Sequence, residues 1–143
     1  MRNARLMRRI LGIVLGAAAA LAILAAIEAA AHWLYPVALD YEALDRAALA
    51  RAVALLPLAA KLLVLLGWFA ATFGGAWLAL RVCDWRWSGW IIALVIVTGN
   101  VATLLALPHP LWMQVSAIVA PLAGAWLARR VHHKPYKGEP LLG

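Results

Sequence analysis

Five polar side chains in or beside the long apolar segments of this chain are the residues whose types and spacing could do chemistry. Glu28 and His32 stand four residues apart in "AAIEAAAHWLYP", near the end of the first apolar segment. Lys61 follows the start of the second segment, Asn100 interrupts the third, and His109 lies in "LPHPLW" before the fourth. Two imidazoles and a carboxylate suit zinc or iron, and an acid beside a histidine can relay protons.

Glu28 and His32 share one face of a helix, and three interpretations of this face follow from the residues. In the simplest, Glu28 pairs with Lys61 and both charges are neutralised in a low-dielectric setting. In the second, Lys61 extends to the lipid headgroups and Glu28 is hydrated or protonated. In the third, Glu28, His32 and His109 ligate a metal or relay a proton.

The composition indicates an integral membrane protein. Of 143 residues, 66% are hydrophobic and 13% are charged, whereas a soluble domain carries about 25% charged residues. The single cysteine excludes an internal disulfide and a cysteine-only metal site. A net charge of +7 would also suit nucleic acid. The basic residues cluster at segment ends, however, as membrane topology requires, so we predict no nucleic-acid partner.

Four apolar segments are near or above the roughly 20 residues that cross a bilayer. They cover residues 10–34, 58–80, 90–107 and 111–128 approximately. Backbone groups in lipid must be satisfied internally, so each segment is predicted to be a helix. The fold class is therefore all-α, a four-transmembrane-helix bundle forming a single membrane domain over residues 1–143. A cleavable signal peptide is the rival for the first segment, but its apolar stretch exceeds the usual 7–15 residues.

The distribution of basic residues predicts that both basic termini are cytoplasmic. Arginines and lysines precede the first segment, separate the second from the third and follow the fourth, whereas the opposite side keeps Arg46, Arg51 and Lys61. Aromatic residues lie near both predicted interfaces, as expected for a multi-pass protein. We therefore predict localisation to the bacterial inner membrane.

The connection between the first two segments predicts a short interfacial amphipathic helix over about residues 41–56, with an irregular loop as the alternative. Asp40 is a candidate N-cap and Glu42 would lie in the first turn. Apolar residues recur at spacings of three or four along one stripe. Its members are Tyr41, Leu44, Ala48, Ala52 and Leu55.

Small residues predict where the helices approach closely, because lipid supplies no hydrophobic drive for association. They recur at intervals of four in the first two segments and again in the last. Packing within the bundle is favoured over dimerisation. The positions are Gly12, Gly16, Gly67, Ala71, Gly74, Gly75 and Gly124.

Three patches together resemble a widespread group of small bacterial four-helix membrane proteins. The patches are "IEAAAHWLYP", "LPLAAKLLVLLGWFAATFGGAWLA" and "NVATLLALPHPLWM". The group combines a Glu…His…Tyr-Pro end to helix one with a Pro-His-Pro-x-Trp turn. The resemblance implies this topology and a shared outer-face feature, but no reaction. The matching positions are Glu28, His32, Pro36, Pro57, Gly74, Gly75, Asn100, Pro108, His109, Pro110 and Trp112.

The sequence predicts a non-catalytic membrane component, either an accessory subunit or an assembly factor with an outer-face polar cluster. No nucleotide-binding glycine loop, G-x-S-x-G or H-E-x-x-H motif occurs, which disfavours an enzyme, and no cofactor is indicated. The expected partners are the lipid bilayer and either a membrane protein or a second copy of the chain. A small oligomeric transporter or channel using Glu28, Lys61 and Asn100 is one alternative. A metal-binding or redox protein using Glu28, His32 and His109 is the other.

Overall fold

The regular structure of this chain is helical throughout the part that is described. The computed structural model describes residues 2–36, 45–83 and 85–132. Within them, α1, α3, α4 and α5 are long and apolar enough to cross a membrane, which confirms the predicted all-α class with four spanning helices and a short one between the first two. The helices are α1 (Arg2–Leu34), α2 (Arg46–Leu55), α3 (Leu58–Cys83), α4 (Ser88–Ala106) and α5 (Leu111–Val131).

The helices extend past the predicted spans where the sequence becomes basic. α1 begins at Arg2 rather than near residue 10, and α3 and α5 continue to Cys83 and Val131. Apolar composition marks only the part of a helix that lipid can cover, so it does not predict turns that continue beyond the bilayer. α4 ends at Ala106 and α5 begins at Leu111, because the two prolines between them interrupt the helical hydrogen bonds.

α2 begins later than predicted. Its N-cap is Asp45, whose side-chain Oδ1 accepts a hydrogen bond from the backbone N–H of Ala48 at 2.6 Å. This bond satisfies one of the N–H groups that a helix start leaves without a partner. The predicted cap Asp40 and the first-turn Glu42 lie outside the described residues.

The buried face of α2 also differs from the predicted stripe. Leu49 and Val53, one turn apart, are its buried residues. Leu55, placed on the apolar stripe by the sequence, is 84% exposed. Leucine and valine bury more apolar area than Ala48 and Ala52 of the predicted stripe, so the face with Leu49 and Val53 packs inward. Tyr41 and Leu44 of that stripe lie outside the described residues.

α3 is the central helix of the bundle. It contacts α1, α4 and α5, while α1 and α5 each contact α4 as well. The main core contains many alanines, such as Ala71, Ala76 and Ala79, none of which is exposed. Small side chains let the helix backbones approach closely, which maximises van der Waals contact where lipid gives no hydrophobic drive.

The α1–α3 interface depends on glycine. A Cβ atom added to Gly16 would lie 2.6 Å from the carbonyl oxygen of Gly75, so the two backbones are in direct contact. Gly12, Gly67 and Gly74 also face atoms of the opposite helix. In α5, a Cβ on Gly124 would lie 2.6 Å from the carbonyl oxygen of Phe69 in α3. All seven positions that the sequence assigned to helix packing therefore lie at contacts within the chain or, like Ala71, in its core.

Candidate functional site

A cavity of about 230 Å³ lies at one end of the bundle and is partly open to the surroundings. It is bounded by the last turns of α1, by α2, by the first turns of α3 and α5, and by the α4–α5 turn. Four of the five polar residues singled out in the sequence line it, namely Glu28, His32, Lys61 and His109. We call this the cavity end. Its other lining residues are Ala31, Tyr35, Val53, Leu56, Ala60, Val64, Leu107 and Met113.

Glu28 and His32 line the cavity with side chains that have no partner among the described residues. They lie one turn apart on the same face of α1, and both are exposed. Neither makes a hydrogen bond or an ion pair with any described residue. Both groups are therefore available to bind something outside the described residues.

Lys61 has a partner, but that partner is not Glu28. Its Nζ donates a hydrogen bond to the carbonyl oxygen of Ala54 at 3.0 Å. Ala54 lies in the last turn of α2, where carbonyl groups lack helical partners and the helix dipole attracts a cation. Lys61 therefore caps α2, and the Glu28–Lys61 ion pair considered from the sequence is not formed.

The register of α1 against α3 explains why this pair is absent. Gly12 lies against Cys83, Gly16 against Ala79, and Gly67 against Ile27, so the two helices run antiparallel. In this register Glu28 comes level with the region of Gly67. Lys61 lies about six residues, or roughly 9 Å, further toward the cavity end. A lysine side chain at that level meets the end of α2 before it meets Glu28.

His109 lies in the α4–α5 turn and does not complete a metal site. Its Nδ1 contacts the carbonyl oxygen of Leu107 at 2.8 Å. Because a carbonyl oxygen can only accept, Nδ1 carries the hydrogen and Nε2 of the neutral ring is an acceptor. Among the described residues, no three His, Cys, Asp or Glu side chains are placed to hold a metal ion. The metal site considered for Glu28, His32 and His109 is therefore not assembled, although all three line the cavity.

Asn100 is buried away from the cavity and has a structural role. Its Nδ2 donates a hydrogen bond to the carbonyl oxygen of Ala117 in α5 at 2.8 Å. In a regular helix that carbonyl would accept from the N–H four residues later, but the residue there is Pro121, which has none. The Asn100 amide thus replaces the missing donor, a known way for a spanning helix to tolerate proline.

The position of Asn100 also bears on transport. The transport hypothesis requires Glu28, Lys61 and Asn100 to lie along one path, and Asn100 does not line the cavity. Within a single chain, the three residues are not brought together.

The opposite end of the bundle carries an arrangement that the sequence analysis did not predict. Five arginine guanidinium groups lie over tryptophan rings at 4.8–5.8 Å from the ring centroids. We call this end the basic end and the five pairs the arginine–tryptophan belt. The pairs are Arg9–Trp85, Arg81–Trp77, Arg86–Trp87, Arg129–Trp90 and Arg130–Trp126.

Part of this belt could have been found from sequence spacing. Trp77 and Arg81, like Trp126 and Arg130, stand four residues apart and so share a helix face. Arg9–Trp85 joins α1 to the α3–α4 connection and could not be found, because it depends on the packing of α1 against α3. Arg8 adds a second link, donating from Nε to the carbonyl oxygen of Val82 at 2.7 Å.

Comparison with protein families, with curated proteins and with solved structures finds no match to this chain.

Proposed function

We propose that this protein is a non-catalytic component of the bacterial cytoplasmic membrane that acts as an accessory subunit or assembly factor. Its cavity end faces outward and binds a segment of a partner membrane protein. The observation that carries the proposal is the cavity itself, in which Glu28 and His32 are exposed and have no partner among the described residues.

The charge distribution supports the proposed orientation. Besides Arg2, at which α1 begins, seven described arginines lie at the basic end, whereas the cavity end has Arg46 and Arg51 on α2 and Lys61, which is bonded to Ala54. Basic residues are retained on the cytoplasmic side of bacterial membrane proteins. Both termini are therefore proposed to be cytoplasmic. The arginines are Arg5, Arg8, Arg9, Arg81, Arg86, Arg129 and Arg130.

The chemistry of the cavity supports a partner with hydrogen-bond donors. A carboxylate accepts hydrogen bonds, and no described residue donates one to Glu28. A partner segment with an amide, hydroxyl or basic group would satisfy Glu28, and His32 could donate or accept beside it. The apolar lining would cover the remainder of the same segment. Membership of the four-helix group with the Pro-His-Pro-x-Trp turn is part of the proposal, supported by Glu28, His32 and His109 lying at one cavity.

Site-specific photo-crosslinking tests the proposed partner site. A photoreactive side chain placed at Ala31, which lines the cavity, is expected to attach to one defined membrane protein in cells. The control position is Leu94 of α4, which is 65% exposed and lies away from the cavity. Glu28→Gln should weaken crosslinking from Ala31, because it removes the acceptor charge.

Two results would contradict the proposal. The first is identical crosslinking from Ala31 and Leu94, which would mean that the cavity selects no partner. The second is a monomer, purified in mild detergent, that conducts solute flux in liposomes; this result would support the transport alternative instead.

Cysteine labelling tests the orientation. The single cysteine, Cys83, is buried, so a Cys83→Ala background removes it from the assay. Trp33 is 82% exposed at the cavity end and Asn3 is exposed at the basic end. In Trp33→Cys, a membrane-impermeant maleimide should react in cells whose outer membrane alone is permeabilised. In Asn3→Cys it should react only after the inner membrane is opened, and the reverse pattern would overturn the orientation.

A further inference from the structure

In the arginine–tryptophan belt, the contact of a guanidinium group with an indole face does not itself use the N–H donors of the arginine. A guanidinium group is planar, and its N–H groups point outward in that plane. When the plane of an arginine lies over an indole, the ring attracts the cation through its face. The N–H donors at the edge can then bind phosphate oxygens in pairs, which is the geometry that arginine favours over lysine.

Three arginines converge on the connection between α3 and α4. Arg9 lies over Trp85 at 5.2 Å and Arg86 over Trp87 at 5.8 Å from the ring centroids. Arg8 is held nearby by its bond to the carbonyl oxygen of Val82. Each of the three guanidinium groups therefore contacts the α3–α4 connection or the last turn of α3, and this contact reduces the side-chain entropy that the group loses when it binds an anion.

The charge balance at this end favours an anionic ligand. The described carboxylates, Glu28 and Asp45, both belong to the cavity end of the chain. Asp84 of the α3–α4 connection and Glu139, which follows α5 in the sequence, lie outside the described residues, and two carboxylates would not balance seven arginines.

The tryptophans indicate that the ligand comes from the membrane. Trp87 and Trp126 are 55% and 51% exposed at the ends of membrane-spanning helices. Indole rings in this position lie at the level of the lipid headgroups, with the apolar ring toward the acyl chains and the N–H toward water. Phosphate groups of lipids lie at the same level, so the stacked arginines are at the right depth to reach them.

We propose that the basic end is a binding site for anionic phospholipid headgroups, centred on Arg8, Arg9 and Arg86 at the α3–α4 connection. The tryptophan contacts hold Arg9 and Arg86 at this connection, and the lipid phosphate accepts hydrogen bonds from the guanidinium N–H groups. This site is separate from the cavity and does not depend on the function proposed for it.

The test is tryptophan quenching by brominated lipids in vesicles. The protein is reconstituted in a zwitterionic phospholipid with a small fraction of an anionic phospholipid, and either lipid carries bromine on its acyl chains. The ratio of the two quenching efficiencies gives the preference for the anionic lipid around the protein. The variant Arg9→Gln/Arg86→Gln should lower this preference by about fivefold for each arginine.

Matched variants separate a built site from general charge. Arg46→Gln/Arg51→Gln removes two exposed arginines from α2 and should leave the preference unchanged. Arg9→Lys/Arg86→Lys keeps the charge but removes the planar donors, so it should also lower the preference, by less than the glutamine variant. The lysine variant also decides the question if circular dichroism shows that the glutamine variant does not fold.

Several outcomes would overturn the proposal. No change in Arg9→Gln/Arg86→Gln, or an equal loss in Arg46→Gln/Arg51→Gln, would show that the basic end holds no lipid site. If Arg9→Lys/Arg86→Lys prefers the anionic lipid as strongly as the wild type does, charge alone attracts the lipid. Millimolar inorganic phosphate should not displace the brominated anionic lipid, and full displacement would assign the arginines to a soluble phosphate ligand.

Discussion

At the basic end of the bundle, five arginine guanidinium groups lie over tryptophan rings of the same chain and Arg8 caps the end of α3. At the cavity end, Lys61 is bonded to α2, but Glu28 and His32 have no partner among the described residues. Six described arginines at the basic end thus contact groups of the same chain, whereas an acid and a base at the cavity end have no partner among the described residues. Locally unfavourable arrangements of this kind are expected where a protein binds something else.

The packing of α1 against α3 also differs between the basic end and the cavity end. Near the basic end, a Cβ on Gly12 would lie 2.6 Å from the Cβ and 3.0 Å from the backbone nitrogen of Cys83. Near the cavity end, a Cβ on Gly67 would lie 3.3 Å from a methyl group of Ile27. Backbone cannot move aside as a side-chain methyl can, so the first contact is the more rigid.

The largest effect is therefore expected from Gly12→Ala. We predict that it lowers the free energy of unfolding by about 1–3 kcal/mol, as overpacking does, whereas Gly67→Ala lowers it by less than about 1 kcal/mol because Ile27 can shift. Unfolding in detergent micelles measures the free energy of unfolding of both variants.

Gly99→Ala is the control for these two substitutions. Nothing lies within 4 Å of its Cβ position, so the gain in helix propensity should stabilise the protein by up to about 1 kcal/mol. Equal losses at Gly12 and Gly67 would show that both ends are packed alike.

The second-largest change in the free energy of unfolding is expected at Asn100, which lies in the packed part of the bundle and not at the cavity. Asn100→Leu should destabilise the protein by about 1–2 kcal/mol, because it leaves the buried carbonyl of Ala117 without a donor. In a Pro121→Ala background, the new N–H at position 121 can bond to Ala117, so the same substitution should have a smaller effect. A double-mutant cycle measures this difference.

The outcome that contradicts this role is an equal loss from Asn100→Leu in both backgrounds. Crosslinking from Ala31 provides a second check, since a structural residue outside the cavity should not alter it. Loss of crosslinking in a folded Asn100→Leu variant would mean that Asn100 contributes to the cavity site after all.

The sequence was sufficient to predict the four spanning helices and the glycines between them, because segment length, apolarity and small side chains act locally or along one helix face. The neighbours of Glu28 could not be predicted. They depend on the register of α1 against α3, which is determined by the contact of Gly12 with Cys83 some 16 residues away from Glu28 in sequence. The role of Asn100 was open to prediction in principle, since Pro121 lacks an N–H, but its pairing with Ala117 requires the α4–α5 packing.

The third prediction compares one helix cap at each end. Arg8 bonds to Val82 at the end of α3, and Lys61 bonds to Ala54 at the end of α2. Arg8→Gln should lower the free energy of unfolding by about 0.3–1 kcal/mol, the usual contribution of a cation at a helix C-terminus. Lys61→Gln should have a smaller effect, because removing a charge near the bilayer offsets the lost cap.

Arg5→Gln is the matched control for the cap comparison, since Arg5 is exposed on the same helix as Arg8 and should be nearly neutral. Unfolding in detergent micelles at low and moderate salt measures all three variants. A larger loss in Lys61→Gln than in Arg8→Gln would mean that the cavity end contributes more to stability than its exposed residues indicate.

The smallest expected effect is the coupling free energy between Glu28 and Lys61. Its size tests directly whether Glu28 lacks a partner within the chain. Because the two side chains are not bonded, the coupling free energy from Glu28→Gln, Lys61→Gln and the double variant should be below about 0.5 kcal/mol. Glu28→Gln alone should leave the stability of the isolated protein unchanged or raise it, since no partner within the described residues is lost. A coupling above about 1 kcal/mol would show that the two residues pair in the membrane, and Glu28 would then have a partner within the chain, as six arginines of the basic end do. If the coupling is absent while Glu28→Gln weakens crosslinking from Ala31, the carboxylate serves the partner and not the fold.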